Sequence, residues 1–271
     1  MMVPFFFFKT KTDNKETLIR GIMNLTERGI NHMDIKKQYF DQVKKGIETA
    51  YETQLLEIEK IASLFGTCME SGGIVQLFGV RHGEEFVNEL NYRAGGIALY
   101  HGLKLKDLIL KEKISQEEVD TGVIYDDVTV ADRFEEIYEL DDRDLYCLVS
   151  AKGSELLVLE LAKRAKQRGQ VVVGVVNKKT YDLCGGSLLE YCDAWLDMGA
   201  EEPDTVLTID DLKTAQISST LANIVAQMLT AEIYRYFVAK GKQAPVLLSA
   251  NIKGADVHNN SLTDPYGRRI R

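Results

Sequence analysis

The chain has 271 residues, enough for one large α/β domain or two small ones with a sizeable core. Its 45% hydrophobic and 27% charged content is ordinary for a soluble globular protein. A formal net charge of −8, from 33 basic and 41 acidic side chains, argues against a general nucleic-acid surface, so any anionic ligand must be held by local donors.

Residues 1–32 read as an N-terminal arm without a clear amphipathic period. The run Phe5 to Phe8 is far too short to span a bilayer, and no small-residue cleavage site follows it. An overlong translation start accounts for this arm better than a membrane contact, and no membrane partner is expected. From Asp34 to Glu70 the sequence predicts one long helix. Val43, Ile47, Ala50, Leu55, Ile58, Ile61, Ala62 and Phe65 recur at three and four residues, with Lys and Glu between them. Such a stripe must pack on the later domain, on a second subunit, or on both.

Ser71 to Gly96 predicts a strand, a glycine loop and a helix. The apolar run Ile74 to Phe78 leads into Gly79-Val80-Arg81-His82-Gly83, and a helical pattern then runs toward Gly95-Gly96. This unit sets backbone N–H groups at the carboxyl end of a parallel strand, a natural place for an anion. Glycines also occur at such turns for backbone reasons alone. Residues 100–139 are less regular, with short amphipathic helices over 104–113 and 131–140.

Leu145 to Val149 is a continuous apolar run of the kind buried on both faces in parallel sheets. Ser150 to Ser154 makes its turn, Glu155 to Arg168 a helix that Gly169 stops, and Val171 to Val176 the next strand. Shorter strands follow over Ala194–Met198 and Thr205–Ile209, then a helix over Gln216–Ala239 and a last extended segment over Pro245–Ile252. No Pro/Gly/Ser-rich linker divides the chain. Residues 33–271 therefore read as one three-layer α/β/α sandwich led by a long N-terminal helix, with its ligand outside the carboxyl ends of the strands. Cys68, Cys147, Cys184 and Cys192 form no CxxC pair and the histidines are scattered, so no metal or cofactor is expected, and reduced thiols fit a cytoplasmic protein.

The ordered segments GGIVQLFGVRHG, ELNYRAGG, LYCLVSAKGSE, ISSTLAN and VLLSANIKGADVHN resemble the sugar isomerase (SIS) domain family, over roughly residues 34–260. The likeness is strongest to a poorly characterised bacterial SIS-domain group, and its sharpest piece is SAN-x-x-G-x-D-x-H-N. The resemblance implies a flavodoxin-like parallel sheet that binds a phosphorylated sugar, self-association as a homodimer or tetramer, and sites near subunit interfaces. It implies phosphate binding by the S-x-S-G loop, where Ser150 and Gly153 match and Lys152 replaces the second serine, with Ser154 beside them. It also implies phosphate binding by Ser218, Ser219 and Thr220 at a helix start. Close relatives read F-G-T-G-H-S where this chain has Phe78-Gly79-Val80-Arg81-His82-Gly83, so a guanidinium is gained and a hydroxyl lost. Arg81 and Lys152 then either grip phosphate or fill the pocket.

For an aldose–ketose isomerase, which moves a proton between C1 and C2, the resemblance makes Glu89 the base, with His82 and His258 as acid/base or orienting groups. Each has a plainer alternative. Glu89 can pair with Arg93 one helical turn away, His258 can belong to a polar turn, and Ser218–Thr220 can be an ordinary helix cap. Elimination, deamination and a non-catalytic phosphosugar sensor remain the other functions this pattern allows.

Overall fold

The computed structural model describes residues 34–199, 204–209 and 211–270; the arm over 1–32 lies outside them. Helix α1 (Ile35–Glu70) crosses the boundary between two compact units, which falls after Asp41, and everything below concerns the unit from Gln42 onward. Ala50, Ile58, Ile61, Ala62 and Phe65 of the expected stripe are buried, whereas Leu55 is exposed. Gln54 ties α1 to the sheet: its Oε1 accepts the Asp197 N–H at 2.9 Å and its amide nitrogen donates to the Asp197 carbonyl.

The sheet has five parallel strands in the order β2-β1-β3-β4-β5: β1 (Val75–Gly79), β2 (Tyr100–Gly102), β3 (Leu145–Val149), β4 (Val172–Val176) and β5 (Ala194–Asp197). β1, β3 and β4 are buried at every position, which is why their sequences run apolar without alternation. Alternate side chains serve two cores. Val75, Leu77, Cys147, Val149 and Val175 face α1, α2 (Gly83–Leu90) and α8 (Ser218–Ala239). Phe78, Tyr146, Leu148 and Val176 face α5 (Val130–Ile137) and α6 (Leu156–Gln167) on the other side. The expected three-layer flavodoxin-like sandwich is thus the observed one.

Short helices α3 (Leu105–Leu110), α4 (Gln116–Thr121) and α7 (Lys178–Cys184) complete the connections. Three expectations need correction. Thr205–Ile209 is a strand, β6, but it pairs with β7 (Leu212–Gln216) as a separate antiparallel hairpin. Gln216 therefore ends a strand and α8 begins at Ser218. The segment Pro245–Ile252 contributes a single antiparallel bridge, Ile97 to Val246, and is followed by a helix, α9 (Ala255–Thr263). All four cysteines are free thiols, and no helix among the described residues is long and apolar enough to cross a membrane.

A buried polar chain locks the edge strand to the sheet. The Asp144 carboxylate accepts N–H bonds from Ile74 at 2.8 Å and Asp141 at 3.0 Å, an amide bond from Gln76 at 2.9 Å, and an Arg269 guanidinium. Gln76 Oε1 in turn meets His101 Nδ1 at 2.7 Å. Burial pushes His101 down to about 4 from an ordinary 6.5, so the ring is neutral at pH 7. The unfolded chain takes up a proton between those values that the folded chain refuses. Stability contributed by neutral His101 is therefore complete above about pH 6.5 and is lost as pH falls toward 4, by up to about 3 kcal/mol. Urea unfolding followed across pH 4 to 7 is expected to show this limb, and His101→Gln is expected to flatten it.

Candidate functional site

Strand order reverses between β1 and β3, so the chain leaves their carboxyl ends in opposite directions and opens a crevice there. Gly79 and Val149 are register partners, and the Val80 N–H donates to the Val149 carbonyl at 3.0 Å. The loop after β1 is thereby stitched to the loop after β3. Gly83 makes the junction possible: a Cβ there would stand 2.5 Å from the Val149 carbonyl oxygen. A serine at this position, as in the resembling loop, has no room in this backbone.

Between these loops and the start of α8 lies a cavity of about 220 Å³, lined among others by Arg81, His82, Lys152, Glu155, Asn177 and Ser218. Arg81 and Lys152 are exposed cations, and among the described residues neither forms an ion pair. Arg81 takes a left-handed φ of +53°, the conformation a glycine would adopt at this position without strain. Its guanidinium rests over the Tyr125 ring, 5.3 Å from the centroid. Tyr125 in turn donates to Glu84 Oε1 at 3.4 Å, and burial raises both the phenol and that carboxyl above their ordinary ranges.

The serines hold other posts. Ser150 is fully buried; its hydroxyl donates to Glu155 Oε2 and accepts the Gly153 N–H at 2.8 Å. It braces the loop and keeps Gly153 at φ +63°, where a side chain would strike the Tyr181 ring. Ser218 lines the cavity, yet its donors are engaged by Asp204. That carboxylate takes the Ser218 N–H at 2.8 Å, the Ser218 hydroxyl at 2.6 Å and the Ile217 N–H at 3.2 Å. An acidic side chain thus sits at the positive end of α8, the position that helix electrostatics favours for an anion. Ser154, Ser219 and Thr220 do not line this cavity.

Glu89 and His258 also lie outside it. Glu89 borders an open groove along α8 with Thr220, Asn223 and Gln227. It is ion-paired to Arg93, as its i,i+4 spacing allows, and accepts a bond from Gln227 at 2.7 Å. His258 Nε2 lies 2.9 Å from the Val246 carbonyl, which can only accept, so that nitrogen carries the proton. Asn259 exchanges two bonds with Leu248, at 2.8 and 2.9 Å. Together they pin the 244–250 segment to α9. Sequence reasoning missed Glu155, although it closes the Ser150–Ser154 loop, and missed Asn177 and Asp204, which local spacing does not mark because the fold alone brings them to the crevice.

The SIS domain family description matches residues 38–177. A UPF0309 protein of Thermoanaerobacter pseudethanolicus is 30% identical over 249 residues, covering 86% of this chain and 98% of that one. A UPF0309 protein of Caldanaerobacter subterraneus is 32% identical over 247 residues, with the same coverage. Among solved structures, a phosphoheptose isomerase from Francisella tularensis superposes with a TM-score of 0.51 at 14% identity, covering 76% of this chain and all of that one. At that identity the likeness concerns the fold.

Arg81 joins backbone strain to a positive charge, and the two separate by mutation. Arg81→Gly is expected to leave stability within about 1 kcal/mol, since relief of the left-handed strain offsets the lost ring contact. The same change is expected to weaken inorganic phosphate binding about tenfold or more, because a charge-assisted bond is lost. Thermal unfolding with and without phosphate measures both; unchanged phosphate protection would show that Arg81 does not hold a phosphate.

Proposed function

The chain belongs to the SIS domain family, and on that footing we propose that it binds a phosphorylated sugar in the cavity between the loops after β1, β3 and β4. The observation that carries this reading is the convergence of Arg81 and Lys152 on one cavity without carboxylate partners among the described residues. Glu155 and Asp204 border the same space, but Glu155 already accepts from Ser150 in its own loop and Asp204 from Ile217 and Ser218 at the start of α8, which lessens their repulsion of a phosphate. Arg81 supplies a planar fork and Lys152 a point charge, two complementary ways of holding a dianion.

The chemistry we propose is aldose–ketose isomerisation. Of the groups in the cavity, His82 and Glu155 are the two suited to pass a proton between adjacent sugar carbons. Glu89 is the base that the family pattern designates, and in this chain its carboxylate is engaged by Arg93 and Gln227. That engagement favours the second reading, a phosphosugar sensor that binds without turnover. A homo-oligomer, in which a neighbouring subunit completes the site, belongs to the first.

One experiment separates the readings. A thermal-shift panel of hexose, heptose and amino-sugar phosphates, followed by turnover assays of every stabilising compound, is expected to find at least one that is both bound and converted. About 100 Kd of ligand raises stability by about 2.7 kcal/mol, a shift readily seen. Lys152→Ala is expected to weaken that binding by about ten- to a hundredfold. Glu155→Gln and Glu89→Gln, assayed beside it, tell which carboxylate moves the proton. Binding without conversion selects the sensor, and no stabilisation by any member refutes both.

A further inference from the structure

At the outer edge of β2, away from the cavity just described, a cleft opens in two adjoining hollows of about 710 and 360 Å³, which share His101 and Asp107. His101 is held there with unusual definition. Gln76 is fully buried and donates its amide nitrogen to the Asp144 carboxylate, so its oxygen must accept from His101 Nδ1. The proton is thereby fixed on Nδ1, and Nε2 carries a lone pair. The ring plane is set as well: Tyr138 meets it edge-on, 4.7 Å between centroids, and the Tyr138 hydroxyl is itself anchored on Asp107 at 2.6 Å. Among the described residues nothing bonds Nε2, and it is not among the sealed, unpartnered polar atoms of the interior.

A carboxylate–amide–imidazole chain is costly to bury, and an apolar side chain would pack this edge without it. Its product is an acceptor of fixed tautomer and direction in the wall of a cleft. We propose that this cleft is a second binding site, for an uncharged polyhydroxylated ligand of the sugar or polyol class, with His101 Nε2 as its central acceptor. The walls match that class. Asn91, Asn260 and Thr263 offer hydrogen-bonding groups, while over the two hollows the carboxylates of Asp107, Glu139 and Asp264 balance the cations of Lys104, Lys111 and Arg268. With its charges balanced the cleft gives a phosphate no net attraction, whereas hydroxyl groups find partners of both kinds. Tyr92, 72% exposed and at a left-handed φ of +46°, also lines the cleft and offers a flat aromatic face. The volume lies within the range of small-molecule sites.

This proposal does not rest on the phosphosugar reading, and its test keeps them apart. In protein labelled with ¹⁵N-histidine, His101 is expected to show a protonated Nδ1 and a bare Nε2. Titration with D-glucose, N-acetyl-D-glucosamine and D-sorbitol is expected to shift the Nε2 resonance with at least one of them. His101→Phe is expected to weaken that ligand about tenfold, as loss of one buried bond does. Asn260→Leu, at an exposed position, supplies the same test should the first variant not fold. Lys152→Ala is expected to leave the neutral ligand's affinity unchanged. A protonated Nε2, no Nε2 shift with any of the three compounds, or wild-type affinity in the folded variants would overturn the proposal.

Discussion

The pairing of β1 with β3, side by side in register, is the constraint from which the rest follows. Because the two strands are parallel, their carboxyl ends reach the same edge of the sheet together, Gly79 beside Val149. Because the chain then leaves one toward β2 and the other toward β4, no connection crosses the gap. A crevice is what remains when two loops depart from a common edge in opposite directions. The stitch from Val80 to Val149 and the close approach at Gly83 tie the two loops together at that edge, so the side chains on them are positioned by the sheet.

Given that frame, side-chain identities vary more freely than backbone shape. Arg81 keeps the left-handed backbone of a glycine position while changing its chemistry entirely. The strain is of order 1–3 kcal/mol, a cost that sparsely populated backbone angles carry mostly where the surrounding fold enforces them. Ser150 shows the converse: the residue type matches the family motif, yet its hydroxyl is spent within the loop, on Glu155 and Gly153. A motif match thus identifies a backbone conformation more securely than it identifies a ligand contact.

How far the sequence was legible follows the same division. The strands β1, β3 and β4 were readable because burial on both faces leaves an unbroken apolar run. The edge strand β2 was not, since three residues with a histidine among them carry no period. The β6–β7 hairpin offered a strand-like half, but which sheet it joined depends on partners that periodicity does not encode. Helix α9, with Asp256, His258, Asn259 and Asn260, looks like a polar turn because its stability comes from side chains bonding backward to the 246–248 segment. For the site, the glycine loops announced the crevice. Asp204 and Asn177, far apart in sequence, were invisible to any local rule.

The molecule as a whole is acidic whereas the charged groups of its crevice balance, and physical screening says which governs binding. At physiological ionic strength the field of a surface charge fades within about 8 Å. The net charge of −8 therefore affects the approach of an anion only weakly, while the groups lining the cavity act at contact distance. There the acidic side chains are already supplied with donors: Glu155 from Ser150, Asp204 from Ile217 and Ser218. Arg81 and Lys152 have no such partners among the described residues. An acidic protein can in this way keep a crevice whose formal charges balance, with its carboxylates turned to neutral donors of the fold and its two cations free of ion pairs among the described residues.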